Sequence, residues 1–267
     1  MNQVYMRFPG GKTKCLTMSY DDGNHADRRL TDLFNRHGIR GTFNLNSGRF
    51  GGDNIEAREV KALYRGHEVA SHTVNHPNLA HCPGPAAAWE VMEDRRGLEA
   101  LAGRPVRGFA YPYGAYSDEV IAALRACGIR FARTVESTGS FFMPADFLRW
   151  HPTCHHDDPR LPALGKQFLS REGDAHLSLM YVWGHSYEFD RNDNWQVMED
   201  FCAMMGGQED IWYAANIEIV DAAEAFQRLR FSADNSFVFN PSAQAVWICV
   251  NGRPVEIPGG QQINLQE

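Results

Sequence analysis

Asp21 and Asp22 are adjacent carboxylates at the end of an apolar run, residues 15–20, and Gly23 follows them. Two neighbouring acids at a strand end repel each other and both lose solvation, so packing gives no reason for them. They make sense if one acid binds a cation and the other handles a proton. Asp-Asp-Gly is also ordinary turn chemistry, so this stretch alone leaves turn and site open. A second polar strand end follows in Ser71-His72-Thr73-Val74-Asn75-His76-Pro77. His72 and His76 are spaced so that one helical turn would set both imidazoles on the same side. Pro77 disfavours the α region at His76 and limits any helix to about that turn. Two imidazoles and a carboxylate make a three-ligand set for a catalytic divalent ion, with positions left for water. Alone, the two histidines read as a surface pair; together with the strand-end acids they favour a metal.

The elements that must position these residues alternate. Strands are predicted at 15–20, 41–46, 67–71, 106–111, 129–135, 176–183 and 211–220, with another around 147–150 in an irregular stretch. Helices are predicted at 27–37, 55–64, 86–101, 118–127, 161–171, 195–205 and 221–229, several of them stopped by glycine. Repeated strand-then-helix units imply an α/β fold, a parallel sheet with helices outside it. About seven units favour closure into an irregular (β/α) barrel. Asp21, Asp22, His72, Tyr113 and His185 all fall where strands end, and that face of a (β/α) barrel carries the chemistry. The pattern changes after residue 230. Asn251-Gly252 between two β-like runs signals a hairpin, so residues 231–267 read as a small C-terminal β appendage on a barrel of residues 1–230.

These residues resemble a family. Ser19-Tyr20-Asp21-Asp22-Gly23 is similar to the first motif of the polysaccharide deacetylases, the NodB homology domain, and Ser71 to His76 is similar to the second. Phe109-Ala110-Tyr111-Pro112-Tyr113-Gly114 resembles the third, and Tyr181-Val182-Trp183-Gly184-His185 the fifth. The resemblance implies the same barrel and the hydrolysis of an amide. It implies that Asp22, His72 and His76 hold one divalent ion, with zinc the leading identity and iron, cobalt, nickel or manganese admitted by the ligand set. It further implies Asp21 as general base, the backbone N–H of Tyr113 as an oxyanion donor, and His185 as the acid that protonates the departing nitrogen. The chain departs from the family where Ala110 replaces the third motif's arginine, which orients the catalytic acid. Arg107 should face the other side of its strand, and Arg133 on the next strand is a possible substitute. The fourth motif has no clean match, although Asp146 and Trp150 lie in the right region.

Tyr111, Tyr113, Trp150 and Trp183 could form an apolar wall against a sugar face or pack at the barrel rim. Asn216 and Glu218 could line the mouth from the last strand. Cys154-His155-His156-Asp157-Asp158 could be a second metal site, although its spacing matches no recognised ligand pattern and a polar loop is the plainer reading. The 267 residues carry a net charge of −7, which gives no basic surface for nucleic acid. No run approaches the ~18 apolar residues of a membrane span, and the N-terminal residues lack a signal-peptide layout, so the expected location is cytoplasmic. Six scattered cysteines then read as free, mostly buried thiols. The leading function is removal of an N-acetyl or related N-acyl group from a carbohydrate or its conjugate. A hydrolase of a cyclic amide or ureide, and an inactive carbohydrate-binding protein on the same scaffold, are the alternatives. Oligomeric state is not legible in the sequence.

Overall fold

A computed structural model describes residues 2–172 and 176–266. Strand β1 (Val4–Arg7) is followed by β2 (Lys14–Asp21), α1 (Asp27–Arg36), β3 (Gly41–Leu45), α2 (Val60–Leu63) and β4 (Glu68–Ser71). Next come α3 (Gly84–Ala102), β5 (Gly108–Ala110), α4 (Asp118–Ala126), β6 (Phe131–Arg133), β7 (Cys154–His155) and α5 (Leu161–Leu169). Strand β8 (Ser178–His185), α6 (Tyr187–Arg191), α7 (Trp195–Met205), β9 (Ile211–Tyr213) and α8 (Asn216–Gln227) complete the alternating part. Five short strands follow among the described residues: β10 (Arg230–Phe231), β11 (Phe237–Phe239), β12 (Val246–Val250), β13 (Arg253–Ile257) and β14 (Gln262–Asn264).

All eight residues of β2 are buried. A strand covered on both faces is what helices on the outside and a filled interior require of a parallel sheet. The sheet runs β6-β5-β4-β3-β2-β8-β7, with β9 against the first residues of β2. It curls into the expected irregular barrel of seven strands along that path. The backbone of Trp150 bridges the edge: its N–H donates to Ala132 O at 3.0 Å and its carbonyl accepts from Thr134 N at 3.0 Å. Apolar faces of α1 and α7 pack with β2, β3 and β8 around Tyr20, Phe34, Phe43 and Met198.

Three expectations change. Residues 147–149 form a 3-10 turn rather than a strand, because Asp146 accepts from Leu148 N at 2.9 Å and caps the turn. Only Trp150 remains extended enough to bridge β6. The strand expected over 211–220 stops at Tyr213, and a helix begins at Asn216. Side chains claim the first amides of that helix: Thr42 Oγ1 accepts from Asn216 N (2.9 Å), Glu68 from Ile217 N (3.0 Å) and Glu218 from Ala215 N (2.8 Å). Asn216 and Glu218 therefore do not share a strand face; Glu218 turns outward to Arg40 at 2.8 Å. The helix expected at 55–64 shortens to a 3-10 turn and the four residues of α2.

The expected hairpin is present as β12 and β13, with Asn251 and Gly252 both at positive φ. Strand β1, unforeseen in the sequence, pairs with β12. These strands share a small core with α8 around Val238, Ile248 and Ile257.

Candidate active site

The site lies at the C-terminal ends of the barrel strands. Strand β2 delivers Asp21 into the interior, and the chain then turns through Asp22 and Gly23 at φ 75° and 65°. This reversal sends the two carboxylates different ways. Asp21 is 3% exposed. Its Oδ1 accepts from Asn44 Nδ2 at 2.8 Å, and its Oδ2 is paired with the fully buried guanidinium of Arg133. Burial alone would raise the Asp21 pKa; Arg133 and then His72 outweigh it and hold the acid below its ordinary value. Arg133 also lies over the Trp183 ring, 4.2 Å from its centroid. Arg107 points elsewhere and pairs with Asp221.

Asp22 faces three side chains. Its Oδ1 is 4.0 Å from His76 Nε2 and 3.9 Å from Arg49, and its Oδ2 is 4.0 Å from His185 Nε2. Residues 72–76 form a loop rather than the expected helical turn, with Thr73 and His76 at φ 70° and 60°. Side chains hold it: Thr73 Oγ1 accepts from His76 N at 2.9 Å, and Asp94 accepts from His72 N at 3.1 Å and Ser71 Oγ at 2.6 Å. The two imidazoles still meet, with ring centroids 4.7 Å apart.

The donor set fits a divalent cation. His72 Nδ1 lies 2.8 Å from Ala110 O. A carbonyl only accepts, so Nδ1 carries the proton and Nε2 turns a lone pair to the site. Burial, with His72 beside it, lowers His76 to about 4, which keeps its ring neutral. Asp22 Oδ1 is buried without a hydrogen-bond partner among the described residues, an arrangement that costs free energy unless something else satisfies it. Ligand atoms of Asp22, His72 and His76 all lie within 4.8 Å of one another.

His185 ends β8, in register with Asp21 across the β2–β8 pair. Burial alone would lower its pKa; Glu188, 3.3 Å from Nδ1, and then Asp21 lift it above its ordinary value. Tyr113 stands at φ 59° in a tight turn, 67% exposed, with its ring 4.7 Å from that of His76. The aromatic wall is not assembled as expected. Tyr111 and Trp150 are each 1% exposed. Tyr111 donates to Leu148 O at 2.8 Å, and Trp150 packs among Phe131, Phe147 and Tyr181. Both are core residues: Tyr111 packs with Val91, Val120 and Leu124 against α3 and α4, and Trp150 with Cys15, Phe131 and Tyr181; Trp183, 9% exposed, lies beneath Arg133.

Asn44, Asp94 and Glu188 escaped the sequence reading. Asp94 had a signal: it occupies the buried helical stripe of α3 with Ala87, Val91 and Leu98, where an acid needs a partner.

Residues 9–132 match the polysaccharide deacetylase family model. The chain is 30% identical over 121 residues to a chitooligosaccharide deacetylase of Azorhizobium caulinodans; the match covers 42% of this chain and 54% of that protein. It therefore spans about half the length of that relative. In fold it is similar to a protein of Mycobacterium smegmatis, with a TM-score of 0.63 and 14% identity over 85% of this chain and 96% of that one. A family 4 acetyl xylan esterase from Clostridium thermocellum, solved with a cobalt ion, aligns with a TM-score of 0.54 and 11% identity over 78% of this chain and 90% of that one. Over residues 9–132, just under half of its length, the chain is therefore similar to the polysaccharide deacetylase family.

Proposed function

We propose that this chain is a metal-dependent deacetylase that removes an N-acetyl group from a carbohydrate. One observation carries the reading: Asp22, His72 and His76 converge on a common point beside the buried Asp21–Arg133 pair and His185. A divalent ion there would lower the pKa of a water molecule and polarise the acyl carbonyl. Asp21, kept ionised by Arg133, takes the proton of the attacking water. His185 is set on the far side of Asp22 and kept protonated by Glu188, so it gives its proton to the departing amine. The turn at Tyr113, whose ring lies 4.7 Å from that of His76, would supply its N–H to the developing oxyanion. Arg133 does for Asp21 what the third motif's arginine does in the family, which weighs against an inactive scaffold. The carbohydrate substrate is supported by the chitooligosaccharide deacetylase relative. Acetate release from N-acetylated chitooligosaccharides, measured with zinc and with cobalt beside a cyclic-amide panel, tests it. Turnover of the cyclic amides alone would overturn the sugar assignment.

A further inference from the structure

Glu188 lies where three imidazoles meet. Its Oε2 is 3.2 Å from His155 Nε2, 3.3 Å from His156 Nε2 and 3.3 Å from His185 Nδ1. Asp157 Oδ1 is 3.3 Å from His156 Nε2, and the Asn192 and Asn194 amides approach Asp157 at 3.3 and 3.4 Å. His156 is completely buried, between the rings of Tyr20 and Phe189, and neither of its ring nitrogens is hydrogen-bonded among the described residues. A buried polar group left in that state is costly unless something else satisfies it. The chain nevertheless makes room for it: a Cβ on Gly184 would sit 2.0 Å from His156 Nδ1.

We propose that His155, His156, Asp157 and Glu188 hold a second divalent cation of the zinc class, separate from the one at Asp22. The spacing argues for ligands rather than hydrogen bonds. Charge-assisted N–H···O bonds run about 2.7–2.9 Å, shorter than the 3.2–3.3 Å contacts found here. Four ligands at about 2.0–2.1 Å from a tetrahedral zinc stand about 3.3–3.4 Å from one another. All four ligand atoms lie within 4.8 Å of one another. Neutral imidazole and ionised carboxylate are the forms a metal takes. His155 and Asp157 remain partly exposed and leave a way in. Two imidazoles and two carboxylates would fill all four positions of a tetrahedron and leave none open for water, as a structural rather than a catalytic ion requires. The ion would tie the loop after β7 to α6, behind the edge of His185 that faces away from Asp22.

The test is stoichiometry on the full chain, stripped with chelator and titrated with Zn²⁺ and Co²⁺ alone. Wild type is expected to take two ions, His155→Ala/Asp157→Asn one, His76→Ala one, and the combined variant none. The visible absorption of four-coordinate cobalt should survive in His76→Ala and vanish in His155→Ala/Asp157→Asn. Should the double variant fail to fold by circular dichroism, Asp157→Asn alone is read instead, with zinc affinity at the second site expected to fall at least about tenfold. A wild type that takes one ion, lost in His76→Ala and unaffected by the changes at 155 and 157, overturns the second site. That outcome leaves the ion at Asp22 standing.

Discussion

The guanidinium of Arg133 on β6 closes on the carboxylate of Asp21 on β2, although three strands separate these two in the sheet. Only a sheet that curls can bring them together, so this contact spans the barrel. Removing one member of a buried pair leaves the other uncompensated, at a cost of about 3–5 kcal/mol. Arg133→Met should lose about that much in urea unfolding, and Asp21→Asn/Arg133→Met should recover a large part of it. A single variant as stable as wild type would show that the pair carries no such energy.

Chelation should abolish acetate release, and one divalent ion at Asp22 should restore it. His76→Ala should lower metal affinity at that position and activity together, while circular dichroism stays unchanged because His76 is only partly buried. Activity that survives without any ion, checked by elemental analysis, would remove the metal from the reaction.

Asp21→Asn keeps the shape and the hydrogen bond from Asn44 but cannot accept a proton. Turnover should fall by about 10²–10⁴-fold with the ion at Asp22 retained. Loss of metal in step with loss of activity would make Asp21 a ligand and reverse the roles of the two acids.

For His185→Ala, kcat on an N-acetyl amide should fall by about 10²–10⁴-fold. An activated aryl ester, whose leaving group needs no proton, should lose much less. Equal losses on both substrates, with a lower Tm, would return His185 to a packing role.

Glu68 gives a stability test away from the site. Burial raises its pKa to about 7, although Ile217 N and Thr42 Oγ1 donate to it. A folded pKa above the unfolded value means the folded state holds the proton more tightly. That contribution is full below the ordinary glutamate pKa and is lost as pH rises through about 7. Glu68→Gln keeps the acceptor and removes the charge, so it should stabilise the protein at pH ~8 by an amount on the order of 3 kcal/mol relative to its effect at pH ~4. A Tm difference that does not change with pH would contradict this.

Local patterns made most of the barrel readable. The glycine stops and helical spacing located α1, α3, α4 and α7, and the polar strand ends located Asp21, Asp22, His72 and His185. Tertiary override accounts for the errors. Ile217, Ile219 and Val220 have strand-forming side chains, yet the amides at 215–217 find acceptors on Glu218, Thr42 and Glu68 and begin a helix. Arg133 illustrates the same limit from the other side. Strand alternation sets Arg107 aside in the sequence and leaves Arg133 as a possible substitute, but only the curvature of the sheet brings it onto Asp21. Tyr111 and Trp150 stay open in the sequence between a wall for a sugar and packing, because a strand-end aromatic looks the same whether its ring enters the core or meets solvent.

The pairing of β1 with β12 has a consequence for how the chain is made. Val4 finds its partner in Val250, and Asn2 donates to the carbonyl of Leu265, 263 positions away. During synthesis β1 therefore emerges before the barrel, and its hydrogen-bonding edge toward β12 waits, unpaired, while the barrel is translated. Such contacts close late because their loop entropy must be met before they return anything. The barrel should gain hydrogen-exchange protection before this small sheet does, and slow or halted translation should leave an exposed strand that other chains can capture.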